Sequence, residues 1–268
     1  MYNFVDTRAV TVANNDLPTE ALSFNGQWFD RAVPGFRTLS VTGRESMQAE
    51  ITCRERTTAN GQRFIRRQYP VRVISVKFQI KADTAAAFRT AFNTLNKLLD
   101  PSESRIIFND ESDKFFVGTR TEISNPEAGL NSVIAEITFT CSDPFKYDTE
   151  YTTQTINRTQ SASFNANTVV GTPAIITITP AFNAISLQMS GVATSTATGA
   201  DSPITVKNIK NGKVVVIDGE KCTVKEDGAN KFADMDFWEF PTVKPGNNSV
   251  IVNTDVCNIS IKYRACYI

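Results

Sequence analysis

Most of the chain alternates apolar and polar residues with a period of two, which is the pattern of half-buried β-strands. In residues 133–140, Val133, Ala135, Ile137 and Phe139 form one side of such an alternation. The same pattern predicts strands at 38–41, 48–53, 72–80, 105–108 and 114–117, and later at 174–178, 185–189, 204–208, 214–218, 222–225, 249–252 and 257–263. The fold is therefore predicted to be mainly β.

Residues 83–99 depart from this pattern, because apolar residues recur there at i, i+4, i+7 and i+11 from Phe88. That spacing predicts one amphipathic helix docked on a sheet. Asp83 is expected to cap its start, and Asp100 followed by Pro101 is expected to end it.

The composition changes near Tyr147, where Thr, Gln, Asn and Ser dominate residues 152–155 and 161–163 before strands resume at 174. A chain of 268 residues is about the length of two ordinary domains. We therefore predict a first domain at 1–147 and a second at 148–268. Frequent turn dipeptides such as Asn211-Gly212 predict that the second is an antiparallel sandwich without a helix.

Charge and composition remove several function classes. The 28 basic and 28 acidic residues leave no net field to hold DNA or an acidic membrane. No apolar run reaches the roughly 18 residues of a membrane span, and residues 1–6 do not resemble a signal peptide, so a soluble chain is expected. The chain has no histidine, which removes Ser-His-Asp catalysis and histidine-ligated zinc. We expect neither an enzyme nor a cofactor.

Two weaker chemical signals remain. The five cysteines are dispersed without a Cys-x-x-Cys pair, which favours reduced, packed thiols over a disulfide or metal role. Residues 109–113 contain three carboxylates but lack the glycine and the distal glutamate of an EF-hand, so a turn is favoured over a metal site.

The choice of basic residue differs between the two halves. Residues 1–145 contain 13 Arg and 4 Lys, whereas residues 146–268 contain 2 Arg and 9 Lys. Arginine is enriched at protein interfaces and lysine is depleted there. We interpret the first half as a surface covered by other protein and the second as one that faces water, with codon bias as the alternative.

Arginine is most concentrated in residues 63–72. Arg63, Phe64, Arg66, Arg67 and Arg72 are therefore candidates for a subunit interface. A solvated loop and a short nucleic-acid patch are the alternatives.

An aromatic cluster occupies residues 237–241. As a strand, it would place Trp238 and Phe240 on one side and Glu239 on the other. A tryptophan beside a glutamate is a candidate for stacking on a sugar, and burial of the aromatics at a strand end is the favoured alternative.

A series of short motifs runs along nearly the whole chain. They are LSFNGQW at 22–28, FRTLSVTGR at 36–44, FNTLNKLL at 92–99, FNDE at 108–111, FTCSDPFKY at 139–147, TPAI at 172–175, IDGE at 217–220, DFWEFP at 236–241, PGNN at 245–248 and IKYR at 261–264. No single motif is diagnostic, but their order and spacing together are specific, and in these the chain resembles the distal tail proteins of long-tailed phages of Gram-positive hosts.

The resemblance implies a first domain similar to tail-tube proteins, a β-barrel or sandwich with a flanking helix, and a galectin-like sandwich that follows it. It also implies a homohexameric ring around the DNA channel, in the virion tail tip and assembled in the bacterial cytoplasm, without membrane insertion. The ring would join the major tail tube protein to the tip or tail-associated lysin protein, and in some relatives the outer domains dock receptor-binding proteins.

Two departures from the family limit this resemblance. Galectins hold sugar with a histidine among other groups, and this chain has none, so the likeness describes shape. The length also leaves no room for inserted carbohydrate-binding modules or long docking arms. A structural hub protein is thus the main hypothesis, a host-wall saccharide-binding module near Trp238 is the alternative, and an enzyme is the third.

Overall fold

A computed structural model describes residues 17–57, 59–124, 131–195 and 197–268. Residues 1–6, where no signal peptide is expected, lie outside the described residues. The chain divides into two compact units between Lys146 and Tyr147, and Ile268 groups with the first unit. Of the helices in the described ranges, none is long and apolar enough to cross a membrane.

The first unit contains both α-helices of the described residues. Most of its strands pair with antiparallel neighbours in one sheet. The helices are α1 (Phe29–Ala32) and α2 (Ala85–Leu98). The strands are β1 (Leu22–Phe24), β2 (Gln27–Trp28), β3 (Phe36–Thr42), β4 (Glu50–Glu55), β5 (Gln62–Gln68), β6 (Arg72–Lys81), β7 (Ser104–Phe108), β8 (Lys114–Ile123) and β9 (Ser132–Cys141).

The main sheet of this unit follows the path β2-β1-β7-β8-β9-β6-β3. Strand β8 pairs with β7 up to Gly118 and with β9 from Thr119 onward. A side chain at Gly118 would lie 2.9 Å from Cys141 Sγ, so glycine permits the tight packing at this change of partner. Because the path has two ends, the described residues form no closed barrel. The first unit was predicted to be a β-barrel or a sandwich, and the closed barrel is therefore excluded.

Helix α2 covers the core of this sheet. It begins after Thr84, whose hydroxyl accepts a hydrogen bond from Ala87 N at 3.2 Å, so the predicted Asp83 cap is one residue too early. The predicted apolar stripe is confirmed, since Phe88, Leu95 and Leu99 are buried in the core of the first unit.

The second unit is an antiparallel sandwich with no α-helix among its described residues, as predicted. One sheet follows β11-β22-β13-β16-β17-β18 and the other follows β12-β21-β14-β15-β19. Strand β10 (Lys146–Asp148) spans the boundary between the units. The strands of the second unit are β11 (Thr152–Asn157), β12 (Ser161–Ala166), β13 (Thr172–Pro180), β14 (Ala184–Ser190), β15 (Ile204–Ile209), β16 (Val215–Asp218), β17 (Thr223–Glu226), β18 (Ala229–Asn230), β19 (Met235–Asp236), β20 (Thr242–Val243), β21 (Gly246–Val252), β22 (Cys257–Tyr263) and β23 (Cys266–Tyr267).

Two of these strands lie in the Thr- and Ser-rich stretch where no strand was predicted. Strand β11 buries only Ile156, and β12 fully buries only Ala166. Both strands stand at the edge of a sheet, where few apolar residues are needed. The alternation was therefore too weak to indicate them.

Candidate assembly surface

Strands β4 and β5 form a hairpin that pairs with no other strand of the described chain. Every residue of both strands is exposed, including Ile51 at 62% and Phe64 at 60%. An isolated two-stranded hairpin is at best marginally stable in water, and exposed apolar side chains indicate a contact surface. The hairpin therefore has the properties of an element that another surface covers.

One face of the hairpin carries arginines. Thr52 lies opposite Arg66, and Arg54 lies opposite Arg63, so these four side chains share a face. The Arg66 Nε group donates to Thr52 Oγ1 at 3.4 Å. Arg54 and Arg63 are like charges directly opposite each other, which destabilises a strand pair, so anions or polar acceptors from a neighbouring surface would stabilise this face.

The other face of the hairpin holds its exposed apolar side chains, together with Arg67, Glu55 and Gln62. Ile51 lies opposite Arg67, and Cys53 lies opposite Phe64. The register shifts between Thr52 and Cys53, which leaves one extra residue on β5 and keeps Phe64 on the face of Ile51. The sequence pattern of β4 indicated an alternation, but it could not show that neither face is covered within the unit.

Arg72 is separated from the other four candidate interface residues. It is only 2% exposed, and its Nη1 donates to the carbonyls of Gly43 at 3.0 Å and Arg44 at 2.9 Å, while Nε donates to Pro144 O at 2.7 Å. Burial lowers its pKa. Arg72 thus joins the chain entering the hairpin to the chain leaving it, which is a positioning role inside the unit. It is not available to a neighbouring subunit.

The entry to the hairpin is held by a second buried arginine. Arg44 donates to Asp110 Oδ1 at 2.6 Å through Nη1 and to Glu20 Oε1 at 3.2 Å through Nη2. Burial alone would lower the pKa of Arg44, but the bond and charge of Asp110, with Glu20, raise it above its usual value. The base of the hairpin is therefore fixed, whereas its two strands extend into solvent.

The acidic loop at 109–113 forms a turn, and its Asp110 binds Arg44 at the base of the hairpin. Asn109–Glu111 form a single 3-10 turn. Glu111 pairs with Lys146 at 2.7 Å, and Asp113 pairs with Lys114 at 2.7 Å. No cluster of potential metal ligands occurs in the part of the chain that the structure describes.

Trp238 lies in the second unit and is 94% exposed. It occupies a turn that follows β19, and the predicted strand at 237–241 is absent there. Phe237 and Phe240 meet at 5.0 Å and both approach Phe232, so these rings share one side and Trp238 is left outside. The expected alternation is wrong because a turn, unlike a strand, brings residues three positions apart together.

Two family models match the chain. The phage tail protein RIFT-related domain matches residues 33–141, and the siphovirus-type tail component, C-terminal domain, matches residues 167–267. Together they span well over half of the sequence. No curated protein matches it.

Solved structures show the same fold. The Dit protein (gp 19.1) of phage SPP1, described as a paradigm of the hub adsorption apparatus in phages that infect Gram-positive bacteria, is similar with a TM-score of 0.77 and 18% identity, over 92% of this chain and 99% of that chain. A chain of the phage p2 baseplate in its activated conformation with Sr is similar with a TM-score of 0.51 and 12% identity, over 86% of this chain and 90% of that chain.

Proposed function

Because this chain belongs to the siphovirus distal tail proteins and is a structural component of the phage tail and baseplate hub, we propose that six copies form a closed ring through their first units. The ring surrounds the DNA channel and joins the major tail tube protein to the tip or tail-associated lysin protein. It assembles in the host cytoplasm, is carried at the tail tip and has no catalytic role. The second unit lies outside the seams and is open to docking by a receptor-binding protein.

The hairpin of β4 and β5 carries this proposal. A closed ring is built from one heterologous contact, in which each subunit offers one surface and receives another. The hairpin is a suitable donor, because it is fixed at its base and exposed on both faces. Arg63, Phe64, Arg66 and Arg67 would enter the seam, and Arg72 would position them.

The outer face of β6, β8 and β9 is the proposed acceptor. Val73 is 49% exposed and Ile134 is 51% exposed on this face, which supplies apolar area for Ile51 and Phe64. Glu122 and Glu136 are exposed there, with Lys77 opposite Glu136. The hairpin segment at 50–68 carries five arginines and two glutamates, so Glu122 and Glu136 are the proposed partners of individual arginines, while Lys77 and Lys81 leave the acceptor face without net charge.

The first experiment reverses charge on the donor. Arg66→Glu with Arg67→Glu should abolish assembly at concentrations where the wild type forms hexamers in light scattering and analytical ultracentrifugation. Lys225→Glu with Lys262→Glu makes the same change in charge on exposed residues of the second unit and should leave assembly intact. Unchanged assembly of the arginine variant would refute this seam. A wild type that stays monomeric and binds neither tube nor tip protein would refute the hub.

A second experiment tests the head-to-tail geometry. Ile134→Lys with Glu136→Lys should disable the acceptor and leave the hairpin intact. Because lysines on the acceptor would attract the glutamates of the first donor variant, the donor variant for this mixture is Ile51→Lys with Phe64→Lys; each variant alone should be monomeric, whereas their equimolar mixture should form dimers and nothing larger. This result follows because each mixed pair retains one working contact. A mixture that remains monomeric would show that these two surfaces do not meet.

A further inference from the structure

The outer face of one sheet in the second unit is covered with amide and hydroxyl groups. Gln188 on β14, Thr205 on β15 and Asp236 on β19 lie opposite one another in a row across three neighbouring strands. Gln188 Nε2 lies 3.4 Å from Thr205 Oγ1. At the far side of the same sheet, Ser163 lies opposite Ser249, and both are exposed.

This face has little net charge. Lys207 and Asp236 are both exposed and approach each other at 4.0 Å, so they compensate one another. The remaining groups of the row offer donors and acceptors without a formal charge. A protein interface has an apolar centre with a polar rim, whereas this face is mainly polar and Ile251, 57% exposed on β21, adds an apolar side chain to it. An anionic polymer would need a basic surface, which the face does not supply.

An exposed aromatic ring lies just beyond the end of the row. Trp238 follows Asp236 by two residues, and its indole is almost fully accessible. The contacts among Phe232, Phe237 and Phe240 fix the turn that carries it. An exposed flat ring two residues beyond the end of a row of hydrogen-bonding groups suits the apolar faces and the hydroxyl edges of a pyranose.

We propose that this face, with Trp238 at its edge, binds a neutral, hydroxyl-rich saccharide chain. The amide and hydroxyl groups of Gln188 and Thr205 bond the sugar hydroxyls, and the indole of Trp238 stacks on a sugar ring. This arrangement does not need the histidine that galectins use. The site lies in the second unit and does not depend on ring formation, so its failure would leave the proposed seam untouched.

The test uses the full-length protein and an array of neutral hexose and N-acetylhexosamine oligosaccharides, with poly(glycerol phosphate) as the anionic arm. Neutral glycans should be retained, and the affinity should fall at least tenfold in Trp238→Ala and in Gln188→Leu with Thr205→Val. Phe182→Ala, which removes another exposed aromatic of the same unit, should bind like the wild type. A thermal unfolding curve for each variant excludes a loss of fold.

Titration of tryptophan fluorescence gives an independent measure, because the chain has only two tryptophans. Binding should shift the emission to shorter wavelength, and Trp238→Ala should abolish that shift. Retention of no neutral glycan, stronger retention of poly(glycerol phosphate), or equal binding by all variants would overturn the proposal. So would a loss of tail-protein binding in the two site variants with no change in glycan binding, because the face would then be a protein-docking surface.

Discussion

Arg44 donates to both carboxylate oxygens of Asp110, a residue 66 positions later in the chain. The side chain of Arg44 is 7% exposed and that of Asp110 is 15% exposed, so the pair is shielded from water and salt. Its position at the entry to the hairpin means that it supports the core and the base of the proposed donor surface together.

Replacement of Arg44 by Met should destabilise the first unit strongly. It leaves the partly buried carboxylates of Asp110 and Glu20 without their cation, and because breaking a fully buried pair costs about 3 kcal/mol, a loss of up to that size is expected. Urea unfolding measures this loss. Arg105→Met is the control, since Arg105 lies over the Phe115 ring as Arg44 lies over the Phe108 ring but is exposed, and it should change stability much less. Equal losses in the two variants would show that the ion pair contributes little.

Asp30 should make stability depend on pH. Its Oδ1 accepts from Thr38 N at 2.9 Å and its Oδ2 from the Thr38 hydroxyl at 2.7 Å. Burial raises its pKa above the usual 3.8, although the bonds from Thr38 oppose this. The folded state therefore holds the proton more tightly than the unfolded chain. The contribution is fully present below pH 3.8 and is lost as the pH rises through the raised pKa.

Asp30→Asn tests this dependence, because an amide can accept from Thr38 N and donate to its hydroxyl. The free energy of unfolding of the wild type relative to this variant should decline across that window and then level off. Asp113→Asn is a control of opposite sign. The bond from Lys114 lowers the pKa of Asp113, so its small contribution is lost as the pH falls. Parallel pH profiles for the wild type and Asp30→Asn would contradict the assignment.

Gly43 is required by its close contact as well as by its backbone angle. It has φ +90°, and a Cβ there would lie 2.1 Å from Val73 O. Gly61, at the hairpin turn, has φ +84° with open space around it. Gly61→Ala should therefore lose only about 1 kcal/mol of backbone strain, and Gly43→Ala clearly more. Equal melting temperatures of the two alanine variants would show that the Val73 carbonyl moves aside freely.

The local patterns were sufficient for much of the fold. The stripe that contains Phe88 and Leu95 predicted α2 because helical periodicity depends only on neighbours in sequence. The cap was displaced because Asp83 and Thr84 are both capping residues, and only the backbone decides between them. The turn at Trp238 was not predicted because the sequence of residues 237–241 is equally compatible with a strand.

The candidate surface was only partly predictable. The concentration of arginine in this stretch indicated Arg63, Arg66 and Arg67. However, the alternating pattern of a strand is the same whether its exposed face is covered by its own unit or by a neighbouring subunit. Ile51 and Cys53 were therefore assigned to an ordinary strand. Arg72 belongs to the same arginine-rich stretch, and only its hydrogen bonds to the carbonyls of Gly43 and Pro144 show that its side chain faces the interior of the first unit.

Cysteine labelling can locate the seam. None of the five cysteines is in a disulfide, and Cys53 on the apolar face of the hairpin and Cys222 in the second unit are exposed. Both should react with a maleimide in the isolated subunit. Burial raises the pKa of Cys141 to about 12 and that of Cys257 to about 11, so these thiols should stay unmodified until the protein unfolds.

In the assembled ring, labelling of Cys53 should slow at least tenfold, while labelling of Cys222 should keep its rate. Mass spectrometry of the two peptides measures both rates in one sample, so Cys222 corrects for differences in reagent and concentration. Protection of Cys53 requires cover on the face that holds Ile51 and Phe64, because that face is open in the single subunit. The reverse result, a shielded Cys222 with a reactive Cys53, would place the seam in the second unit and leave the hairpin in solvent.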